Sequence, residues 1–97
     1  MPTYIALINW TPKGIENVKD SPKRLDQAKT AIKTSGGEMK SFYMTMGEHD
    51  MVCVVEAPSD EAYAKTILAI GAQGTIKTET LRAFTEAEYR KIVGSLP

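Results

Sequence analysis

An α+β sandwich, one four-stranded antiparallel sheet carrying two helices on the same face, is the fold class this sequence predicts. Three observations point to it. Stretches rich in β-branched and aromatic residues alternate with stretches of helical spacing in the order strand, helix, strand, strand, helix, strand. The second and third strands are parted only by the short polar stretch Gly47-Glu48-His49-Asp50, which makes them a hairpin. Ninety-seven residues with 42% hydrophobic content suffice for one core and are too few for two, so residues 1–97 read as a single domain.

The first strand runs from Thr3 to Trp10 and stops at Thr11-Pro12. Its two faces, Tyr4, Ala6, Ile8, Trp10 and Ile5, Leu7, Asn9, are both largely apolar, whereas a strand with one wet face alternates apolar with polar. Residues 11–19 read as a loop or a single helical turn. Ser21 is the expected N-cap of helix one, with Pro22 in the first turn; Leu25, Ala28 and Ile32 form its apolar stripe and Gly36-Gly37 its end. Glu38 to Met46 alternates Met39, Ser41, Tyr43, Thr45 against Glu38, Lys40, Phe42, Met44, Met46 as strand two, and Met51 to Ala57 is strand three. Ser59 caps helix two, whose expected stripe is Ala64, Ile67, Leu68 and Gly71, with Asp60 and Glu61 favoured near its N-terminal dipole. Threonine-rich Thr75 to Phe84 is strand four, and Thr85 with Glu88 forms a capping box opening a short final helix. That order is the split βαβ of the ferredoxin-like fold. Helices on one face leave the other bare, and the apolar strands predict that a second copy covers it, as a homodimer or a higher homo-oligomer.

Twelve basic residues balance twelve acidic ones, which argues against nucleic-acid binding driven by net charge. No stretch is apolar for the ~18 residues of a membrane span, and the N-terminus lacks the pattern of an export signal. One cysteine, Cys53, lies mid-strand without an intrachain partner and reads as a small buried hydrophobe. A soluble protein of the reducing cytoplasm is the expectation, without nucleic-acid or membrane partners.

The run Met46-Gly47-Glu48-His49-Asp50-Met51, the following Glu56-Ala57-Pro58, the segment Thr78-Glu79-Thr80-Leu81-Arg82-Ala83-Phe84 and the earlier Ser21-Pro22-Lys23-Arg24-Leu25 together resemble the GYD domain family of small bacterial and archaeal proteins. The resemblance covers almost the whole chain and implies a dimeric α/β barrel; it carries no activity with it. Gly47 and Asp50 match the family's Gly, Tyr, Asp signature, and His49 stands at the tyrosine position. The tyrosine hydroxyl of the signature is thus replaced by an imidazole, which can still donate or accept a hydrogen bond.

His49 beside Asp50 is the candidate catalytic pair, a base oriented by a carboxylate. Neighbours on an extended chain point opposite ways, so the pair cooperates only if the turn bends them together; otherwise Gly47 permits the turn and Asp50 caps backbone amides. Asn9, Trp10, Tyr43 and Arg82 are the candidate ligand-binding residues, polar or amphipathic groups that a cavity could gather, with core or interface packing the alternative for Trp10 and Tyr43. Arg82 needs an anion, supplied by Glu79, Glu56 or a ligand. Phosphate binding through Arg82 and Lys77 is a weaker reading. A lone histidine and a lone cysteine give no metal site, and no cofactor motif occurs. The chain thus reads as binding a small, partly apolar molecule near the 47–50 turn, with cofactor-independent proton transfer suggested by analogy to monooxygenases and isomerases of this fold. The alternative is a non-catalytic binding or assembly module in which that turn is structural.

Overall fold

The computed structural model describes residues 1–97. Strands β1 (Thr3–Trp10), β2 (Glu38–Met44), β3 (Met51–Glu56) and β4 (Ile76–Ala83) form one sheet in the order β2-β3-β1-β4, with every neighbouring pair antiparallel. Helices α2 (Ser21–Thr34) and α3 (Asp60–Gly71) cover one face, so the ferredoxin-like sandwich expected from the element order is the fold observed. Two shorter helices, α1 (Pro12–Glu16) and α4 (Glu86–Gly94), follow β1 and β4.

The central strands set the core. In register, Tyr4, Ala6 and Ile8 of β1 face the helices beside Val55, Cys53 and Met51 of β3, and all six are buried against Ile32 of α2 and Tyr63 of α3. The alternate residues Ile5, Leu7, Val52 and Val54 form the centre of the opposite face, extended by Leu81 of β4, and no element of the chain lies over them. Both faces of β1 are apolar, as its sequence demands.

Three local expectations are corrected. Alternation along β2 breaks at Lys40, where the register shifts: Met39 pairs with Val55 and Phe42 with Cys53, so Met39 and Phe42 share the helix side while Ser41 and Tyr43 turn to the open face. The bulge lets Lys40 reach Glu38 at 3.4 Å and Glu56 at 3.8 Å, two carboxylates set directly opposite each other across the strands, whose repulsion it offsets. The inward face of α3 is carried by Tyr63 and Ile67, while Leu68 is 71% exposed. Tyr63 fixes that rotation by stacking on Tyr4 at 4.2 Å and sharing a 3.0 Å hydrogen bond with Thr80. Ser21 does not cap α2: a 3₁₀ turn at Val18–Asp20 runs straight into the helix, and the Ser21 hydroxyl instead accepts from the Trp10 indole at 3.2 Å.

The caps expected elsewhere are present. Ser59 accepts from Ala62 N–H, and Thr85 and Glu88 close a reciprocal capping box on α4. Thr11 caps α1 and binds the Gly74 carbonyl, which draws α1 so close to β4 that a Cβ on Gly14 would lie 1.9 Å from the Thr75 carbonyl oxygen. The hairpin between β2 and β3 turns at Gly47, whose φ of +121° is open to glycine and costly for other residues.

Val55 is the largest fully buried side chain. Val55→Ala is expected to lower unfolding free energy by about 2 kcal/mol, read as a shift of the urea midpoint at unchanged slope.

Candidate functional site

The 47–50 turn closes the end of the sheet where β1 finishes. Asp50 ties the two strands there with its own backbone and side chain: its N–H donates to Ile8 O at 2.9 Å and to Asn9 Oδ1 at 2.8 Å, its carbonyl accepts from Thr45 N–H at 2.8 Å, and its carboxylate accepts from Trp10 N–H at 3.0 Å. The Thr45 hydroxyl adds a 2.6 Å bond to the His49 carbonyl. Three of the residues singled out in the sequence, Asn9, Trp10 and Asp50, therefore meet in one hydrogen-bonded cluster. The His49 side chain is half-buried beside it, and no hydrogen bond links its imidazole to the Asp50 carboxylate.

Tyr43 and Arg82 lie elsewhere. Tyr43 pairs with Val52 on the open face, largely exposed. Arg82 pairs with Tyr4 at the opposite end of the sheet from Asp50, on the helix side, whereas Lys77 alternates onto the other face, so the two cations do not converge. The anion facing Arg82 is Asp60 in the first turn of α3, at 4.0 Å, not Glu79 or Glu56. Its guanidinium sits over the Phe84 ring at 4.9 Å and the Tyr4 ring at 5.6 Å, and also donates to the Thr3 and Ala83 carbonyls. Tyr4 donates its hydroxyl to the same Asp60 carboxylate. This Tyr4, Asp60, Arg82 cluster was hidden in the sequence because fifty-six residues separate Tyr4 from Asp60. Its signal is topological: β4 ends where α3 begins.

Burial raises three groups, Tyr4, Cys53 and Tyr63. Tyr4 is pushed up to about 12 by its buried position, with the hydrogen bond to Asp60 adding to the effect, and the Cys53 thiol is pushed up to about 11 by burial. Cys53 is therefore a protonated thiol at neutral pH, packed in the core. No group of three or more His, Cys, Asp or Glu side chains is placed to hold a metal ion, and no helix is long and apolar enough to cross a membrane.

The space available to a ligand lies under the helices. A cavity of about 160 Å³ separates α2 from α3 above the sheet, with Phe42, Met51, Cys53 and Ile67 in its wall and Arg24, Gln27 and Gln73 among its polar lining. A second, of about 270 Å³, adjoins it through Ser21, Leu25, Phe42 and Met51 and is bordered by Trp10 and Met44. Of the six candidate site residues, Trp10 alone borders these spaces.

A four-stranded antiparallel sheet in the order β2-β3-β1-β4 with its two long helices on one face defines a ferredoxin-like domain. The chain belongs to the GYD domain family, which matches residues 4–93. It is 32% identical over 89 residues, 91% of this chain and 94% of the other, to a protein of Thermus thermophilus named glutamine synthetase and cystathionine beta-lyase binding protein. Among solved structures it is similar in fold to the leucine response regulatory protein LrpA of Mycobacterium tuberculosis, with a TM-score of 0.63 at 21% identity; the match covers 87% of this chain and 51% of that one, so the chain spans about half of LrpA. A hypothetical protein of Pyrococcus horikoshii gives a TM-score of 0.59 at 23% identity, covering 89% of this chain and 93% of the other.

Asp50→Ala is expected to lower stability by about 2 kcal/mol, the worth of its one charge-assisted bond to the Trp10 amide, with Asp50→Asn recovering part of it; His49→Ala should stay within ~0.5 kcal/mol of the parent. Thermal unfolding of the three variants checks this. Tyr4 adds a pH dependence. Its folded value lies above its unfolded value near 10, so the unfolded chain releases the proton first. The stability linked to Tyr4 is whole below pH 10 and is lost as pH rises through about 12; urea midpoints across that window should fall, and Tyr4→Phe should flatten the decline.

Proposed function

We propose that this chain is a non-catalytic binding module that works as a homodimer and docks onto other proteins, with the 47–50 turn holding the scaffold together. The observation that carries this reading is the open sheet face, where Ile5, Leu7, Val52, Val54 and Leu81 form a continuous apolar centre with no element of their own chain above them. A second copy related by a two-fold axis would bury it, self-complementary patch on self-complementary patch. The overall dimensions agree: the radius of gyration is 14.6 Å, against about 12.5 Å for a compact chain of this length. In α4 and just beyond it, Tyr89, Ile92, Val93 and Leu96 are all exposed at helical spacing. An arm of that kind fits a surface supplied by another chain.

Binding to proteins is supported by the Thermus thermophilus relative, which is named for binding glutamine synthetase and cystathionine beta-lyase. The bonding of Asp50 supports the non-catalytic part of the reading, because its carboxylate is directed at Trp10 N–H instead of an imidazole. The module is read as cytoplasmic, in keeping with metabolic enzymes as partners.

Light scattering coupled to size exclusion should give twice the 10.7 kDa chain mass. Val54→Lys places an unpaired charge at the centre of the patch and should yield a folded monomer. A parent protein that is monomeric at micromolar concentration would overturn the dimer, and a His49-dependent reaction on any small substrate would overturn the non-catalytic reading.

A further inference from the structure

We infer that the gap between α2 and α3 is a binding site for a small apolar monocarboxylate, its ring or branched chain held in the cavity and its carboxylate on Arg24. The cavity's size and wall choose the apolar part. At about 160 Å³, lined largely by side chains such as Phe42, Met51 and Ile67, it matches the volume that accepts a single benzene ring in an apolar protein interior. Arg24 chooses the charged part. The guanidinium, half-buried in the lining, donates to Gly14 O at 3.2 Å and Asn17 O at 3.1 Å. These neutral carbonyls orient the planar fork without compensating its charge, and none of the molecule's four ion pairs includes it.

A guanidinium has five N–H donors, so donors remain for a carboxylate arriving along the plane of the fork, the geometry in which arginine binds carboxylates in two places at once. Gln27 and Gln73, both exposed, add neutral amides to the same lining and no second charge. The site lies on the helix side of the sheet and the proposed dimer surface on the other, so it stands or falls independently of the assembly.

The probe is phenylacetate, compared with the neutral phenylacetamide of the same shape, added to the full chain at pH 7. Binding is followed by backbone amide shifts and by the fluorescence of Trp10, the single tryptophan, whose ring borders the adjoining cavity. Phenylacetate should saturate about tenfold more tightly than the amide, the difference between a charge-assisted and a neutral hydrogen bond, and the largest shifts should fall on Ala28, Phe42 and Ile67. Arg24→Gln should erase the tenfold preference, and Ala28→Leu, which fills the cavity, should abolish binding of both. Should Arg24→Gln fail to fold, the comparison of the two probes on the parent protein still decides. Equal affinity of the two, saturation by neither, shifts centred on Ile5 and Val54 of the open face, or a crystal structure with a side chain of a second copy seated in the gap would each overturn the inference.

Discussion

The structure depends on one strand that is apolar on both sides. β1 sits between β3 and β4, and its alternate residues send Tyr4, Ala6 and Ile8 one way and Ile5 and Leu7 the other. Apolar surface of that extent is stable only when water is removed from both faces. The chain covers one with α2 and α3; the other is the strongest physical reason to expect a second molecule.

Each end of the sheet is tied by polar groups of a different kind. At the end where β1 finishes, Asp50 joins Ile8 and Thr45 through its backbone, the Asn9 side chain through its N–H and the Trp10 amide through its carboxylate, an arrangement that fixes the hairpin against the central strand. At the other end, Asp60 draws in both Tyr4 and Arg82, pinning the start of α3 over the end of β4. Because the Asp60 side chain is 81% exposed, its ion pair with Arg82 is screened by water, and the Tyr4 and Phe84 rings flank the same cation. Between these two ties the helices leave the cavities, which Ile8 and Trp10 of the Asp50 tie border at one end.

Element type and order were legible in the residues, because periodicity and capping are local. Ser59, Thr85 and Glu88 cap where their spacing said they would, and Gly47 takes the positive φ that a turn between two strands required. The candidate site was legible only in part. Asn9, Trp10 and Asp50 do meet, since all three lie at the end of one strand pair, while Tyr43 stands on the outer strand β2 and Arg82 at the other end of the sheet. Sequence spacing alone cannot tell which strand end a residue shares with which loop.

What the sequence determined by itself was the two-faced apolarity of β1, the ferredoxin-like order, the hairpin and the membership of a family, all of which follow from short-range pattern. What only the tertiary structure decided was the bulge at Lys40, the rotation of α3 onto Tyr63, the pairing of Arg82 with Asp60 and the gap above Phe42 and Met51. The physical reason is common to all four. Each depends on which of two nearly equivalent local choices, a register or a neighbouring helix face, best satisfies charges and rings brought together from distant parts of the chain.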